Sequence, residues 1–265
     1  MSSKKKELSF SLSDLNILIL GAKLGIGASL ARICAKQSAN IILVDKEEPT
    51  ELADNLEQLS AANIVTYGCD IANRDAVESL AAELSQRNYA PHSVALTAGI
   101  TFYNDWIETD NETWDRDVEQ IFNVNLAGPI NVARSFLPIM EKNNWGRMVL
   151  VGSIAGRMGG LTSQPHYAAS KGGVHSLTRW LASKYAPSGV LVNAVAPGPT
   201  KTRMTEGRSI DTSKLPLRRM LDPEDIAWPI AFLLSPAAAG MVGVVLDVNG
   251  GATFSSRVPF YFLDK

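Results

Sequence analysis

Seven short runs of β-forming residues recur along the chain: NILIL (16–20), NIILVD (40–45), NIVTYGCD (63–70), SVALTAG (93–99), GRMVLVGS (146–153), GVLVNAVAPG (189–198) and GVVLDVNGG (243–251). Most are continuously apolar rather than alternating, the mark of strands covered on both faces. Between them lie helix-like stretches, including GASLARICAKQS, DAVESLAAELSQ, AGPINVARSFLPIMEK, YAASKGGVHSLTRWLASKYA and PEDIAWPIAFLLSP. Strand and helix in alternation predict an α/β fold built on one doubly wound parallel sheet with helices on both faces. No Pro/Ser-rich linker or internal repeat divides the 265 residues, which are enough to bury a substantial core. A single domain is expected over 14–254, with a polar, mobile lead-in at 1–13 and a tail at 255–265.

Composition removes several function classes. Apolar residues make up 46% and charged residues 20%, with a net charge of −2, so no basic surface points to nucleic acid or anionic lipid. Lys4 to Lys6 are followed by ELSFSLSDLN, with Glu7 and Asp14 where a secretion signal would be apolar. The longest apolar run is far below the roughly 20 residues that cross a bilayer, so no membrane span is expected. Cys34 and Cys69 lack metal-like spacing and read as reduced core thiols, as in a cytoplasmic protein. His92 and His175 have no paired ligands, and no metal site is expected.

The stretch ILILGAKLGIGASL places Gly21, Gly25 and Gly27 between the first strand and the first helix. Such glycines alone imply only a tight turn. At a helix N-terminus after a strand, however, unpaired N–H groups and a partial positive charge suit a pyrophosphate. Asp45 ends the second strand, near the roughly 20-residue offset at which an acid bonds an adenosine ribose; the alternative is an ordinary strand-end turn. Asp70 closes the third strand, within reach of an adenine ring.

Tyr167 and Lys171 in YAASK stand four residues apart in a helical stretch and face the same way. Ser153 ends the strand just upstream, at the carboxyl edge where ligands of open α/β sheets bind. Asn125, in NVNLAG, begins a long helix. A phenol with a pKa of about 10 is a poor acid–base catalyst at pH 7, and an adjacent ammonium lowers it. Lys171 supplies that charge, Tyr167 moves a proton to or from a substrate oxygen, and Ser153 hydrogen-bonds the same oxygen.

From about Leu12 to Phe254 the chain resembles the short-chain dehydrogenase/reductase family, on GAKLGIG, CDI, the AG at 98–99, NVNLAG, Ser153, YAASK, VNAVAPGPTKT and VNGG. The resemblance implies a Rossmann-like fold, a nicotinamide dinucleotide and a tetrad on Asn125, Ser153, Tyr167 and Lys171. Lys171 would also hold the nicotinamide ribose, and Asn125 a water that relays protons to solvent. Cofactor contacts are expected at Gly21, Leu24, Gly25, Ile26, Gly27, Asp45, Asp70, Ile71, Ala98, Gly99, Pro197, Gly198, Thr200 and Thr202, besides Tyr167 and Lys171. The chain departs from the family at Leu20, where Thr is usual, and at Thr97, where Asn is usual. Both positions bear on hydrogen bonds on the adenosine side.

Asp45 would repel a 2′-phosphate, which favours NAD, and Leu24 stands where NADP-using relatives often carry a basic residue. Lys23 and Lys46 leave tolerance of NADP open. The substrate is expected to be a small, largely apolar secondary alcohol or ketone in a cleft lined by Met158, Leu161 and Met204 beside Ser153 and Tyr167. Phe102, Tyr103 and Trp106 form either a pocket wall or ordinary loop packing. For His166, a structural role is expected over a catalytic one. The alternatives are a 3-oxoacyl thioester reductase using NADPH, and a dinucleotide-binding sensor without turnover. A homotetramer is expected, with Phe260, Tyr261 and Phe262 of the tail crossing to a neighbour or capping a cleft.

Overall fold

The computed structural model describes residues 9–58, 63–159 and 163–253. Leu161 and the aromatic tail lie outside them. Strands β1 (Asn16–Leu20), β2 (Asn40–Asp45), β3 (Ile64–Gly68), β4 (Ser93–Leu96), β5 (Gly146–Val151), β6 (Val190–Pro197) and β7 (Val245–Val248) form one sheet in the order β3-β2-β1-β4-β5-β6-β7. Every pairing is parallel, as the continuous apolar runs require. The order reverses between β1 and β4, which opens a crevice at the carboxyl edge.

The crossover helices are α1 (Gly25–Lys36), α2 (Thr50–Glu57), α3 (Arg74–Gln86), α4 (Asn111–Phe122), α5 (Gly128–Lys142), the one-turn α6 (Ala155–Met158), α7 (Pro165–Tyr185) and α8 (Pro223–Leu234). Successive strand residues point to opposite layers. Ile17, Ile19, Ile41 and Leu43 pack with Leu30 of α1 and Ile226 and Ile230 of α8. Leu18, Leu20, Ile42 and Val44 pack with Val77 of α3, Phe136 of α5 and Val174 of α7. Each fully buried aliphatic side chain of this kind contributes about 1.5–3 kcal/mol. Cys34 and Cys69 are buried and unpaired with each other, and burial pushes the Cys34 thiol up to about 12.

Two expectations need correction. The lead-in is tied down from residue 9 onward: Leu12 is fully buried, the Ala237 N–H donates to the Ser9 carbonyl at 3.1 Å, and the Phe10 ring lies 6.0 Å from Trp228 and 6.2 Å from Phe232. Apolar Phe10 and Leu12 outweigh the polar residues around them. Asn125, in turn, does not begin a helix. It sits in a π-helical turn, Asn123–Ala127, between α4 and α5. The Gly128 N–H donates to the Asn123 carbonyl, five residues back, and Pro129 brings no N–H and would crowd a carbonyl four residues back. The wide turn accommodates that proline.

Candidate active site

The expected residues gather along the carboxyl edge of the sheet. Gly21 (φ 86°) and Gly25 (φ 56°) adopt left-handed backbone between β1 and α1, which glycine enters without strain. A Cβ on Gly21 would stand 2.3 Å from the Ala98 nitrogen, and one on Gly27 would stand 2.0 Å from the Gly21 carbonyl oxygen. Two of the three glycines are thus also required by the approach of neighbouring backbone. Thr97 accounts for its departure from the family pattern: its hydroxyl lies 2.9 Å from the carbonyl oxygens of Leu20 and Gly21. Leu20 itself is a fully buried core residue.

Helix α1 starts without a side-chain cap and with no acidic residue in its first turn. Its leading N–H groups therefore suit an external anion. Leu24 is 53% exposed above them. The chain's own residues fit a dinucleotide pyrophosphate here. On the adenosine side, Asp45 Oδ2 accepts the Lys23 N–H at 2.9 Å and Oδ1 accepts the Lys46 N–H at 2.8 Å, which fixes the carboxylate beside the loop. Lys23 Nζ lies 2.5 Å from Glu47 and Lys46 Nζ 3.0 Å from Asp70. Partial burial works to raise the Asp70 carboxyl, but Lys46 and the Ala72 N–H hold it below the usual range. Ile71 is buried against Gly128.

Across the switch point, Asn125 is fully engaged. Its Nδ2 donates to the Ile100 carbonyl at 2.8 Å, its Oδ1 accepts the Ile100 N–H at 2.9 Å, and Ser170 Oγ lies 3.3 Å from Nδ2. The amide thus clamps the loop after β4 to the π turn. Lys171 is buried and its Nζ donates to the Val151 carbonyl at 2.9 Å. A Cβ on Gly99 would lie 3.2 Å from that Nζ and 3.3 Å from Asn125 Oδ1, so glycine keeps the backbone against both. Burial pulls the Lys171 ammonium down to about 8.

Ser153 follows β5 by two residues, where its Oγ accepts the Ala155 N–H at 3.1 Å and acts to lower the Tyr167 phenol. Lys171 Nζ stands 5.8 Å from the Tyr167 ring centroid. Asn125, Ser153, Tyr167 and Lys171 thus meet in one place. The phenol is not lowered as the spacing with Lys171 implies: burial pushes it up, Ser153 opposes this, and nearby Tyr103 adds to it. The ammonium satisfies a backbone carbonyl instead of reaching the phenol.

At the end of β6, the Pro197 carbonyl accepts the Ile154 N–H at 3.0 Å, joining this strand end to the Ser153 loop. Thr200 is buried, with its hydroxyl on the Gly198 carbonyl at 2.9 Å. Thr202 would touch a Cβ on Gly25 at 3.3 Å, so the segment reaches back over the phosphate loop. Met204, in the short 3₁₀ turn Arg203–Thr205, is partly buried. Met158 is 44% exposed and Trp106 60%. His166 is buried edge-on against Trp114, centroids 5.2 Å apart, and neither ring nitrogen has a partner among the described residues; burial holds it neutral.

Sequence reasoning missed Thr205, whose hydroxyl donates to the Thr200 carbonyl at 2.7 Å and accepts the Thr202 N–H at 3.1 Å. The Thr-x-x-Thr spacing was its only signal. It also missed Arg208, which lies over Tyr103. Among the described residues no cluster of His, Cys, Asp and Glu is placed to hold a metal, and no helix is long and apolar enough to cross a membrane.

A doubly wound sheet with a glycine-lined helix N-terminus at its switch point and a Ser–Tyr pair across the crevice defines a dinucleotide-binding oxidoreductase scaffold. Residues 21–253 match a family model described as enoyl-(acyl carrier protein) reductase. The chain is 36% identical over 256 residues to galactitol 2-dehydrogenase (L-tagatose-forming) of Cereibacter sphaeroides, covering 92% of this chain and 97% of the relative. A putative NAD(P)-dependent gluconate 5-dehydrogenase from Beutenbergia cavernae, solved with NADP at low occupancy, superimposes with a TM-score of 0.85 at 31% identity, covering 92% of this chain and 99% of the other. A 3-oxoacyl-[acyl-carrier protein] reductase from Brucella melitensis with bound NAD gives 0.81 at 27% identity, covering 95% of each chain. The chain belongs to the short-chain dehydrogenase/reductase family, oxidoreductases that bind a nicotinamide dinucleotide.

Proposed function

We propose that the protein interconverts a secondary alcohol and a ketone with NAD, using Tyr167 as the proton carrier. The observation that carries this reading is the Ser153 hydroxyl acting on the Tyr167 phenol beside a buried Lys171, whose Nζ is 5.8 Å from the Tyr167 ring centroid, because binding a dinucleotide does not by itself require that grouping. In the reducing direction Tyr167 donates its phenolic proton to the substrate oxygen while Ser153 hydrogen-bonds the same oxygen. In the oxidising direction Tyr167 accepts the hydroxyl proton. The dinucleotide, when bound, supplies or takes the hydride. Lys171, anchored on the Val151 carbonyl with its Nζ 5.8 Å from the Tyr167 ring centroid, holds the nicotinamide ribose. Asn125, whose side chain is committed to Ile100, keeps a water that relays protons to solvent.

NAD rather than NADP is favoured by the charges at the end of β2. Asp45 faces the expected ribose position, and both neighbouring lysines already meet carboxylates, Glu47 and Asp70. A 2′-phosphate would gain no unpaired cation from them and would meet Asp45. Cofactor contacts are proposed at Gly21, Leu24, Gly25, Ile26, Gly27, Ala98 and Gly99, and along Pro197, Gly198, Thr200 and Thr202. The likeness to the Brucella melitensis 3-oxoacyl-[acyl-carrier protein] reductase supports a second reading, reduction of a 3-oxoacyl thioester. A homotetramer in the cytoplasm completes the proposal.

The test is Tyr167→Phe, assayed at 340 nm against alcohols, ketones and an acetoacetyl thioester with both dinucleotides. The ring is kept and only the proton carrier is removed, so turnover is expected to fall at least about 10²-fold with dinucleotide affinity retained. Retention of most activity would overturn the mechanism.

A further inference from the structure

The chain after β6 crosses the carboxyl edge as a strap. It starts over the phosphate loop, where Thr202 faces Gly25, is pinned by the Thr205 hydroxyl, and reaches the loop after β4 at Arg208. There the guanidinium carbon lies 3.6 Å from the centroid of the Tyr103 ring. So close an approach requires the planar guanidinium to lie flat on the ring, which leaves its N–H edges pointing outward in their fork geometry. Tyr103 lies three residues beyond Ile100, which Asn125 clamps, and it acts electrostatically on the Tyr167 phenol. Arg208 is therefore a cation seated at the rim of the Tyr167 site.

Two of the strap's other cations meet carboxylates: Lys201 meets Asp222 at 3.0 Å and Arg219 meets Asp225 at 2.6 Å. Among the described residues Arg208 has an aromatic face against it and no carboxylate partner. From residue 198 to 222 the sequence holds six Lys and Arg against three Asp and Glu, in a chain whose net charge is −2. The strap is thus positive where the molecule as a whole is slightly negative.

We infer that Arg208, held on Tyr103, is a specificity residue that pairs with an anionic group, a carboxylate or a phosphate monoester, carried by the alcohol or ketone substrate. Stacking on Tyr103 pre-orders a long side chain, so less conformational freedom is lost when the bidentate pair forms. The inference rests on the oxidoreductase reading above and adds the substrate's charge to it.

Matched pairs test it: a keto acid against its amide, and a hydroxyketone phosphate against the dephosphorylated compound, each assayed with wild type, Arg208→Gln and Tyr103→Leu. Wild type is expected to favour one or both anionic members by at least about tenfold in kcat/KM, and the favoured pair tells carboxylate from phosphate. In Arg208→Gln the preference is expected to shrink to within about threefold, with an intermediate value in Tyr103→Leu. A preference that survives Arg208→Gln, or its absence from wild type, overturns the inference. So does a loss that appears as a raised KM for NAD or NADP, which would assign Arg208 to the cofactor. Calorimetric titration of the same pairs into the protein–dinucleotide complex separates this outcome from failure of the proposed reaction. If no compound turns over, anion-selective binding lost in Arg208→Gln still supports the site, and equal binding of charged and neutral members overturns it.

Discussion

Tyr167 and Asp45 carry the two choices made by single side chains. Burial raises the Tyr167 phenol from its ordinary value, which favours the protonated form in the neutral range. Ketone reduction needs that protonated form, so its kcat/KM is expected to stay flat between about pH 6 and 8. Alcohol oxidation needs the phenolate and is expected to climb with pH over the same interval. A reduction profile that falls with a midpoint near pH 7 would mean that bound dinucleotide and Lys171 pull the phenol far below its position in the free protein. At Asp45 the expected result is a preference for NAD of at least about tenfold, worth about 1.4 kcal/mol. Asp45→Ala is expected to narrow or reverse it, since the substitution removes both the ribose acceptor and the repulsion of a 2′-phosphate. Paired kcat/KM values for NAD and NADP in both proteins check this, and a native preference for NADP would sink the assignment.

Among the elements, the β1–α1 junction and the π turn decide whether the site forms. Gly27 has no unusual φ, but a Cβ there would stand 2.0 Å from the Gly21 oxygen and 2.7 Å from Thr97 Oγ1. Gly27→Ala must push the helix N-terminus away from the strand end. The expected cost is about 1–3 kcal/mol of overpacking, a fall in Tm of roughly 3–10 °C, together with weakened dinucleotide binding. Differential scanning calorimetry and fluorescence titration with NADH measure the two effects, and an alanine variant with native Tm and affinity would contradict the close packing. The π turn does related work on the other side of the crevice. By widening the helix where Pro129 follows, it allows Asn125 to clamp both backbone groups of Ile100 and so aim the loop that carries Tyr103.

Over the whole molecule, large apolar groups remain exposed on both sides of the sheet. Trp180 of α7 is 61% exposed and Trp228 of α8 is 40% exposed, and the two helices belong to opposite layers. Leaving such area in water costs about 25 cal/mol per Å². Two separate apolar faces suit two interfaces, the arrangement that generates a tetramer with closed symmetry. Sedimentation at micromolar concentration is expected to give a tetramer for the native chain and smaller species for Trp180→Glu and for Trp228→Glu. A monomeric native protein would dismiss the assembly.

Strand positions, layer architecture and the shared helix face of Tyr167 and Lys171 could be read from the chain because they depend on local pattern. A continuous apolar run such as NIILVD is buried on both faces in any compact arrangement, and Tyr167 and Lys171 share a helix face by spacing alone. Thr97, Arg208 and the pKa of Tyr167 could not be read in this way. A threonine bonds the Leu20 and Gly21 carbonyls only once β1 and β4 lie side by side. An arginine more than a hundred residues from Tyr103 reaches it only after the strap has crossed the sheet edge. Lys171 sits four residues from Tyr167, yet the backbone carbonyl of Val151 takes its ammonium, and desolvation then dominates the phenol. Periodicity and local chemistry were settled by the sequence itself; long-range pairing and the local dielectric were decided by tertiary structure, because both depend on which distant groups arrive to exclude water.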